Sequence, residues 1–338
     1  MSVERFDLPA SDAPFKFGTP VSELYRDPAG YDPSPELRAA IRVALLLGMP
    51  LLLTGEPGCG KTSVGHWLAW KLQLGDALVH NVKSASTGRE LLYDFDELGR
   101  FRDIHGGTKR ENSYYVRLNA LGLAILFSAK GTTPLGYESF KYENLAGPAQ
   151  GGADADRFAR RHVVLIDELD KAPRDTPNDL LLELEQMRFR IGELDTWVEG
   201  APEHRPIVVI TSNSEKSLPE PFLRRCVFHH IKSPDDARRR EIVARRRHPF
   251  VRREAAFEEA MRLFERLHSS LGRPPGTAEL LAWLTALEDE AKRAELRQPA
   301  NTPVTSLKGL FEPSLGTLAK TKEDLDRARE VVGMESLG

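Results

Sequence analysis

The sequence has little cysteine: its 338 residues carry only Cys59 and Cys226, too few for a disulfide framework and without the spacing of a metal site. It also lacks a long hydrophobic run. The longest apolar stretch, VALLLGMPLLL at 43–53, is interrupted by Gly48 and Pro50 and is too short to span a bilayer. The opening MSVERFDLPA has no apolar core of a secretory signal. A cytoplasmic chain without membrane insertion is therefore the simplest expectation. An excess of one charge is missing too: 47 Lys and Arg stand against 50 Asp and Glu, a net charge of -3. That balance gives no global pull toward nucleic acid or an anionic surface, so any basic footprint must be local. Neither an internal repeat nor a low-complexity tract is found.

What is present, 41% hydrophobic and 29% charged residues, is the composition of a soluble globular chain, and the length accommodates two domains. Residues 1–35, rich in Pro, Asp and Ser without a sustained period, suggest an extended arm or linker. From Pro50 the short apolar runs PLLLTG, ALVHNV, HVVLID and PIVVITSN alternate with helical segments, which points to an α/β fold with a parallel sheet and crossover helices. After Ser233 the strands stop. Ser233-Pro234 resembles an N-cap followed by a first-turn proline, and three or four helical stretches follow. In one of them Phe257, Met261, Phe264, Leu267 and Leu271 recur at helical spacing until Gly272. The expected organisation is thus an α/β domain over 36–232 and a smaller all-α domain over 233–338. The Gly/Tyr-rich stretch 131–152 has the character of a long loop, in which Tyr137, Phe140 and Tyr142 either grip a substrate or pack on the core.

The run GEPGCGKTS, directly behind the first strand, fits the phosphate-loop pattern G-x-x-x-x-G-K-[ST] at Gly55, Gly60, Lys61 and Thr62. Glycines let backbone N–H groups close around a phosphate chain, and the next helix adds its positive N-terminal end. On this reading Gly55, Glu56, Pro57, Gly58, Cys59, Gly60, Lys61, Thr62 and Ser63 bind the phosphates of a nucleotide. Lys61 reaches the terminal phosphates and the Thr62 hydroxyl ligates Mg²⁺. In the following helix Val64, Trp67, Leu68 and Leu72 share a face. Cys59, near a helix N-terminus, is either a small loop residue or a thiol of depressed pKa. HVVLIDELD ends a strand in Asp167-Glu168, a place from which a carboxylate faces the same crevice. Asp167 can hold Mg²⁺ through water, and Glu168 can orient and deprotonate an attacking water; the alternative is a solvated acidic loop. PIVVITSN ends in Asn213, which either positions that water or serves as a turn residue. TSNSEK is not the Asn-Lys-x-Asp that reads a guanine base.

Together these features resemble an AAA+ ATPase, and more narrowly the MoxR-like branch near dynein-related AAA modules, from about Tyr31 to Val332. The resemblance implies a parallel sheet with flanking helices and a helical C-terminal lid. It makes Gly55 to Thr62 the Walker A segment, Asp167 and Glu168 Walker B, and Asn213 sensor 1. SASTGRELLYDFDELGRFRD is similar to the start of the insertion after the second strand, here about 84–158, and MRFRIGELDTWVEG to a β-hairpin turning near Gly192, within 187–205. Between them Thr176 is placed as a helix cap, with Leu180, Leu184 and Met187 on one face. LPEPFLRRC aligns with the arginine-finger stretch, which puts Arg225 in contact with a neighbouring subunit's γ-phosphate; the alternative is a surface pair in which Arg224 meets Glu220. In PPGTAELLAWL relatives carry a sensor 2 arginine just after the Thr. Here that residue is Ala278, so either ATP is held without a lid arginine or hydrolysis is slow, unless Arg273 substitutes.

Residues 233–253 contain eight arginines against Asp235, Asp236 and Glu241. They spread over a broad helical face, which fits a solvated surface better than a nucleic-acid site. The resemblance implies a Mg²⁺-ATP hydrolase forming a homo-oligomeric, hexameric ring that remodels or chaperones a protein client. In such families the client is often a von Willebrand A domain protein, and some members serve bacterial defence. The alternatives are a nucleic-acid-stimulated motor and a slow, nucleotide-gated assembly switch.

Overall fold

The computed structural model describes residues 27–129, 159–213, 218–297 and 308–335. The loop aromatics Tyr137, Phe140 and Tyr142, and most of the N-terminal arm, lie outside them. The first α-helix, α1 (Pro35–Leu47), starts where Ser34 Oγ accepts the Leu37 N–H at 3.2 Å, has proline in its first turn, and stops at Gly48 in the left-handed conformation, φ 63°. β1 (Leu51–Gly55) then runs into α2 (Lys61–Lys71), and β2 (Leu78–Asn81) follows. An insertion comprises α3 (Gly88–Leu92), β3 (Tyr93–Phe95), α4 (Glu97–His105), β4 (Val116–Leu118) and α5 (Ala120–Ser128). Every residue of α5 is buried, which explains why its sequence is apolar all round instead of striped.

β5 (Val163–Asp167) leads through α6 (Thr176–Asp179) and α7 (Leu181–Gln186) to a hairpin of β6 (Arg188–Ile191) and β7 (Thr196–Glu199). Residues 192–195 form its turn, as expected for a reversal near Gly192. Thr176 does not cap: its hydroxyl donates to the Ser86 carbonyl at 3.1 Å, and Asp175 stands at the cap position. The anticipated face of Leu180, Leu184 and Met187 is buried. β8 (Ile207–Thr211), α8 (Glu220–Leu223) and β9 (Val227–Ile231) complete the α/β part. Five of its nine described strands form one parallel sheet in the order β2-β5-β8-β1-β9.

Alternate residues of the central strands bury into opposite faces. Leu52, Val164, Ile166, Val208 and Ile210 join the core beneath the insertion, whereas Leu51, Leu53, Val163, Leu165 and Val209 join α1 and α2. Burial on both faces is why these strands are continuously apolar. Five α-helices among the described residues follow: α9 (Asp236–Arg245), α10 (Glu254–Ser270), α11 (Thr277–Arg297), α12 (Lys308–Ser314) and α13 (Lys322–Glu335). They enclose a core of their own around Phe264, Trp283 and Phe311. α9 begins two residues later than Ser233-Pro234 suggests, because Asp235 accepts the Arg238 N–H at 2.8 Å. Ser233 instead donates to the Glu56 carboxylate, joining the helical part to the loop after β1.

Candidate active site

In a parallel sheet the crevice beyond the strands' C-terminal ends collects whatever those ends carry. Here β1 leads into the glycine loop, whose residues 57–63 line one large cavity together with Asp167 and Glu168 from the end of β5 and Thr211 and Asn213 from the end of β8. Gly55, Gly58 and Gly60 have φ of 148°, 77° and 95°. A Cβ on Gly55 would stand 2.6 Å from the Ile231 carbonyl, so only glycine permits this path. Lys61 is 8% exposed. Its ammonium donates to the Gly55 and Glu56 carbonyls at 2.7 and 3.0 Å, which holds the cation on the loop. Thr62 Oγ1 donates to both oxygens of Asp167, at 3.0 and 3.1 Å. A hydroxyl and a carboxylate so placed would offer hard oxygen donors, the type Mg²⁺ prefers. The residues present therefore fit a Mg²⁺-nucleotide.

Three residues that the motif reading passed over bind this set together. Thr211, 1% exposed, donates its hydroxyl to Asp167 Oδ1 at 2.6 Å and accepts the Glu168 N–H at 2.8 Å. Asp170 Oδ1 accepts the Asn213 N–H at 2.9 Å, tying the end of β8 to the turn after β5. Lys171 is ion-paired with Glu168. Glu168 itself has φ 60°, a left-handed conformation that a glutamate adopts only when its neighbours impose it. A threonine in a β-branched strand looks like core, and no spacing rule singles it out.

Two further segments close the cavity. Gly30 to Asp32, just ahead of α1, wedges between the loop and the helical part. The Tyr31 ring lies 3.2 Å from where a Cβ on Gly60 would be, and burial pushes its phenol well above the ordinary value. Asp32 accepts Arg238 Nη2 at 2.7 Å, Arg38 Nη2 at 2.5 Å and the more distant Arg245 at 3.4 Å. At the start of α11, the Ala278 methyl is 3.5 Å and Glu279 Oε2 3.2 Å from the Cβ position of Gly58. Ala278 thus sits against the glycine loop, while Arg273 stays on the preceding loop, its N–H donating to Asp324 at 3.3 Å. Of the two readings of Cys59 the structure favours the small loop residue: burial raises the thiol above its ordinary value, outweighing the Lys61 charge.

Arg225 is not brought to this cavity. It follows α8 and precedes β9, whose far end, Ile231, is the residue in register with Gly55. Five strand residues separate the two ends by about 13 Å at ~3.3 Å per step. The guanidinium is half-exposed, donating to the Pro221 carbonyl at 3.2 Å and 3.5 Å from Glu185. Arg224 pairs with Glu220.

Among the described residues no helix is long and apolar enough to cross a membrane. No curated protein matches the chain. The family model for the AAA domain, dynein-related subfamily, matches residues 50–226, slightly more than half of the 338, and its span runs from the residue before β1 to the residue before β9. With the five-stranded parallel sheet and the helical C-terminal region, this match places the chain in the dynein-related AAA domain family of AAA+ ATPases.

Proposed function

We propose that the chain is a Mg²⁺-ATP hydrolase of MoxR type that works as a ring, hexameric in its full form, and remodels a protein partner. Bound Mg²⁺-ATP supplies the phosphoanhydride and the cation that draws charge off its terminal phosphate. Lys61 leaves the loop carbonyls for the terminal phosphates, and Thr62 and Asp167 hold the cation. Glu168 takes the proton of the attacking water onto a carboxylate oxygen, and the Asn213 amide orients that water. Arg225 of an adjoining copy neutralises the charge that develops on the transferred phosphoryl group.

One observation carries this reading: the groups for binding and base catalysis lie at one end of the sheet, while Arg225 lies at the opposite end of β9. A guanidinium there has no route to its own chain's phosphates. The test pairs two defective subunits. Arg225→Ala alone should bind ATP and lose about 10³-fold or more in turnover. Mixed with Lys61→Ala subunits, which retain the guanidinium, it should regain activity. If mixing restores nothing, or Arg225→Ala turns over like wild type, action in trans is wrong.

Ala278 and Glu279 against Gly58 favour a second reading, an assembly switch in which nucleotide occupancy matters more than turnover. Turnover near zero with intact ATP-dependent assembly would select it. A nucleic-acid motor is less well supported, because Arg238, Arg239, Arg240, Arg245 and Arg253 are each paired with a carboxylate of the same chain. A role in bacterial defence, and a von Willebrand A domain client, rest on the family resemblance alone and are tested by identifying co-purifying proteins.

A further inference from the structure

We infer that Thr211 is a positioning residue for hydrolysis: its single hydroxyl sets both the Mg²⁺-binding carboxylate and the backbone of the general base. The inference rests on the assignment of Asp167 and Glu168 given above. One hydroxyl has one proton to donate and lone pairs to accept with. Thr211 Oγ1 uses the proton on Asp167 Oδ1, at 2.6 Å, and a lone pair on the Glu168 N–H, at 2.8 Å. The first bond fixes the rotation of the carboxylate whose oxygens also meet Thr62. The second fixes the peptide that enters Glu168, the residue held at φ 60° and ψ 47°.

The location makes the device specific. β8 lies directly beside β5, with Ile210 in register with Ile166, so residue 211 is level with the strand's last carboxylate. Val or Ala could fill the same buried place, but only a hydroxyl, of Thr or Ser, makes both bonds. Lys171 holds the Glu168 side chain, and its N–H donates to the Glu168 carbonyl at 2.9 Å. Without the Thr211 bond, the N–H that enters Glu168 loses its partner, and the carboxylate is free to leave the line of the attacking water. Asp170 extends the same stitching to the Asn213 N–H. The base and the water-positioning amide are therefore built on one hydrogen-bonded unit.

The test compares Thr211→Val, which keeps shape and loses the hydroxyl, with Thr211→Ser, which keeps the hydroxyl, in the full chain. Thr211→Val should bind ATP within about threefold of wild type, lose about 10- to 100-fold in kcat, and need several-fold more Mg²⁺ for half-maximal rate. Thr211→Ser should restore most of both. In a Glu168→Gln background, Thr211→Val should add little further loss, since both changes then act through one absent base. An unchanged kcat in Thr211→Val, an equal loss in Thr211→Ser, or losses that multiply in the double variant would each overturn the inference. Loss of ATP binding and thermal stability in both variants alike would reduce Thr211 to a packing residue and overturn it as well. Wild-type turnover in Glu168→Gln alone would instead sink the base assignment, and the Mg²⁺ requirement of Thr211→Val against Thr211→Ser would still judge Thr211.

Discussion

Removing one charge at residue 32 should loosen the helical part from the nucleotide cavity. Asp32 is 12% exposed and meets three arginines, but they are unequal. Arg38 and Arg245 are 57% and 56% exposed, and ion pairs of that kind contribute about 0.5 kcal/mol or less each. Arg238 is 28% exposed, reaches the carboxylate at 2.7 Å and donates to the Asp32 carbonyl at 2.6 Å. A hydrogen bond to a charged group in such a place is worth about 1.5–3 kcal/mol. Asp32→Asn keeps the shape and loses about 2 kcal/mol, which is about 30-fold in the closed-to-open equilibrium. Titration with a fluorescent ATP analogue should show the dissociation constant rising by about 10- to 30-fold. Arg238→Gln should do the same, and the double variant should be little worse than either single one. Two single effects that simply add, or an Asp32→Asn dissociation constant within twofold of wild type, would refute the clamp. The pH dependence follows from the carboxyl. Burial pushes it up, but the Arg238 hydrogen bond and the charges of Arg238, Arg245 and Arg38 win and hold it below its ordinary 3.8. The clamp is thus complete above about pH 4 and is lost only as the pH falls through the lowered value, so it should impose no slope between about pH 5 and pH 9.

Other expectations follow from the same geometry. Glu168→Gln should bind ATP normally and lose about 10²- to 10⁴-fold in turnover, read by comparing nucleotide binding with phosphate release; normal release would remove Glu168 as the base. Ala278→Arg starts 3.5 Å from the Gly58 Cβ position and should tighten ATP or speed hydrolysis by about 10-fold through a new charged hydrogen bond; an inert variant would mean that the start of α11 does not face the phosphates. Burial holds the Cys59 thiol above its ordinary 9.0 and pushes Cys226 up to about 12. Alkylation of Cys59 followed by mass spectrometry should therefore be slow at neutral pH and still climbing at pH 9; a rate that levels off below about pH 8 would contradict that order.

Periodicity and motif spacing made the sheet, the glycine loop and the strand-end carboxylates legible, because each depends on neighbours in sequence. The apolar runs became strands buried on both faces, and the recurrence of Phe257, Met261, Phe264 and Leu267 became the inner face of α10. Contacts between distant residues were illegible. Asp32 and Arg238 are 206 positions apart, and no pattern marks either. Helix starts shifted because competing acceptors were at hand: Asp235 outdid Ser233 for the first turn of α9, and Thr176 found the Ser86 carbonyl. For Cys59 the sequence left a small loop residue and an activated thiol both open, and burial, invisible in one dimension, decides for the first. Eight clustered arginines suggested a solvated face, whereas Arg238, Arg240, Arg245 and Arg253 pair with carboxylates brought from α10, α11 and the segment before α1.

The joint between α11 and the glycine loop is the Ala278 methyl and the Glu279 carboxylate set against Gly58. Neither group is a cation, so this joint has nothing with which to attract a phosphate. The grip on the helical part comes instead from Asp32, at the flank of the cavity. The cap over the cavity should then feel nucleotide mainly through that flank, while the ends of β5 and β8 are where loss of a terminal phosphate would register.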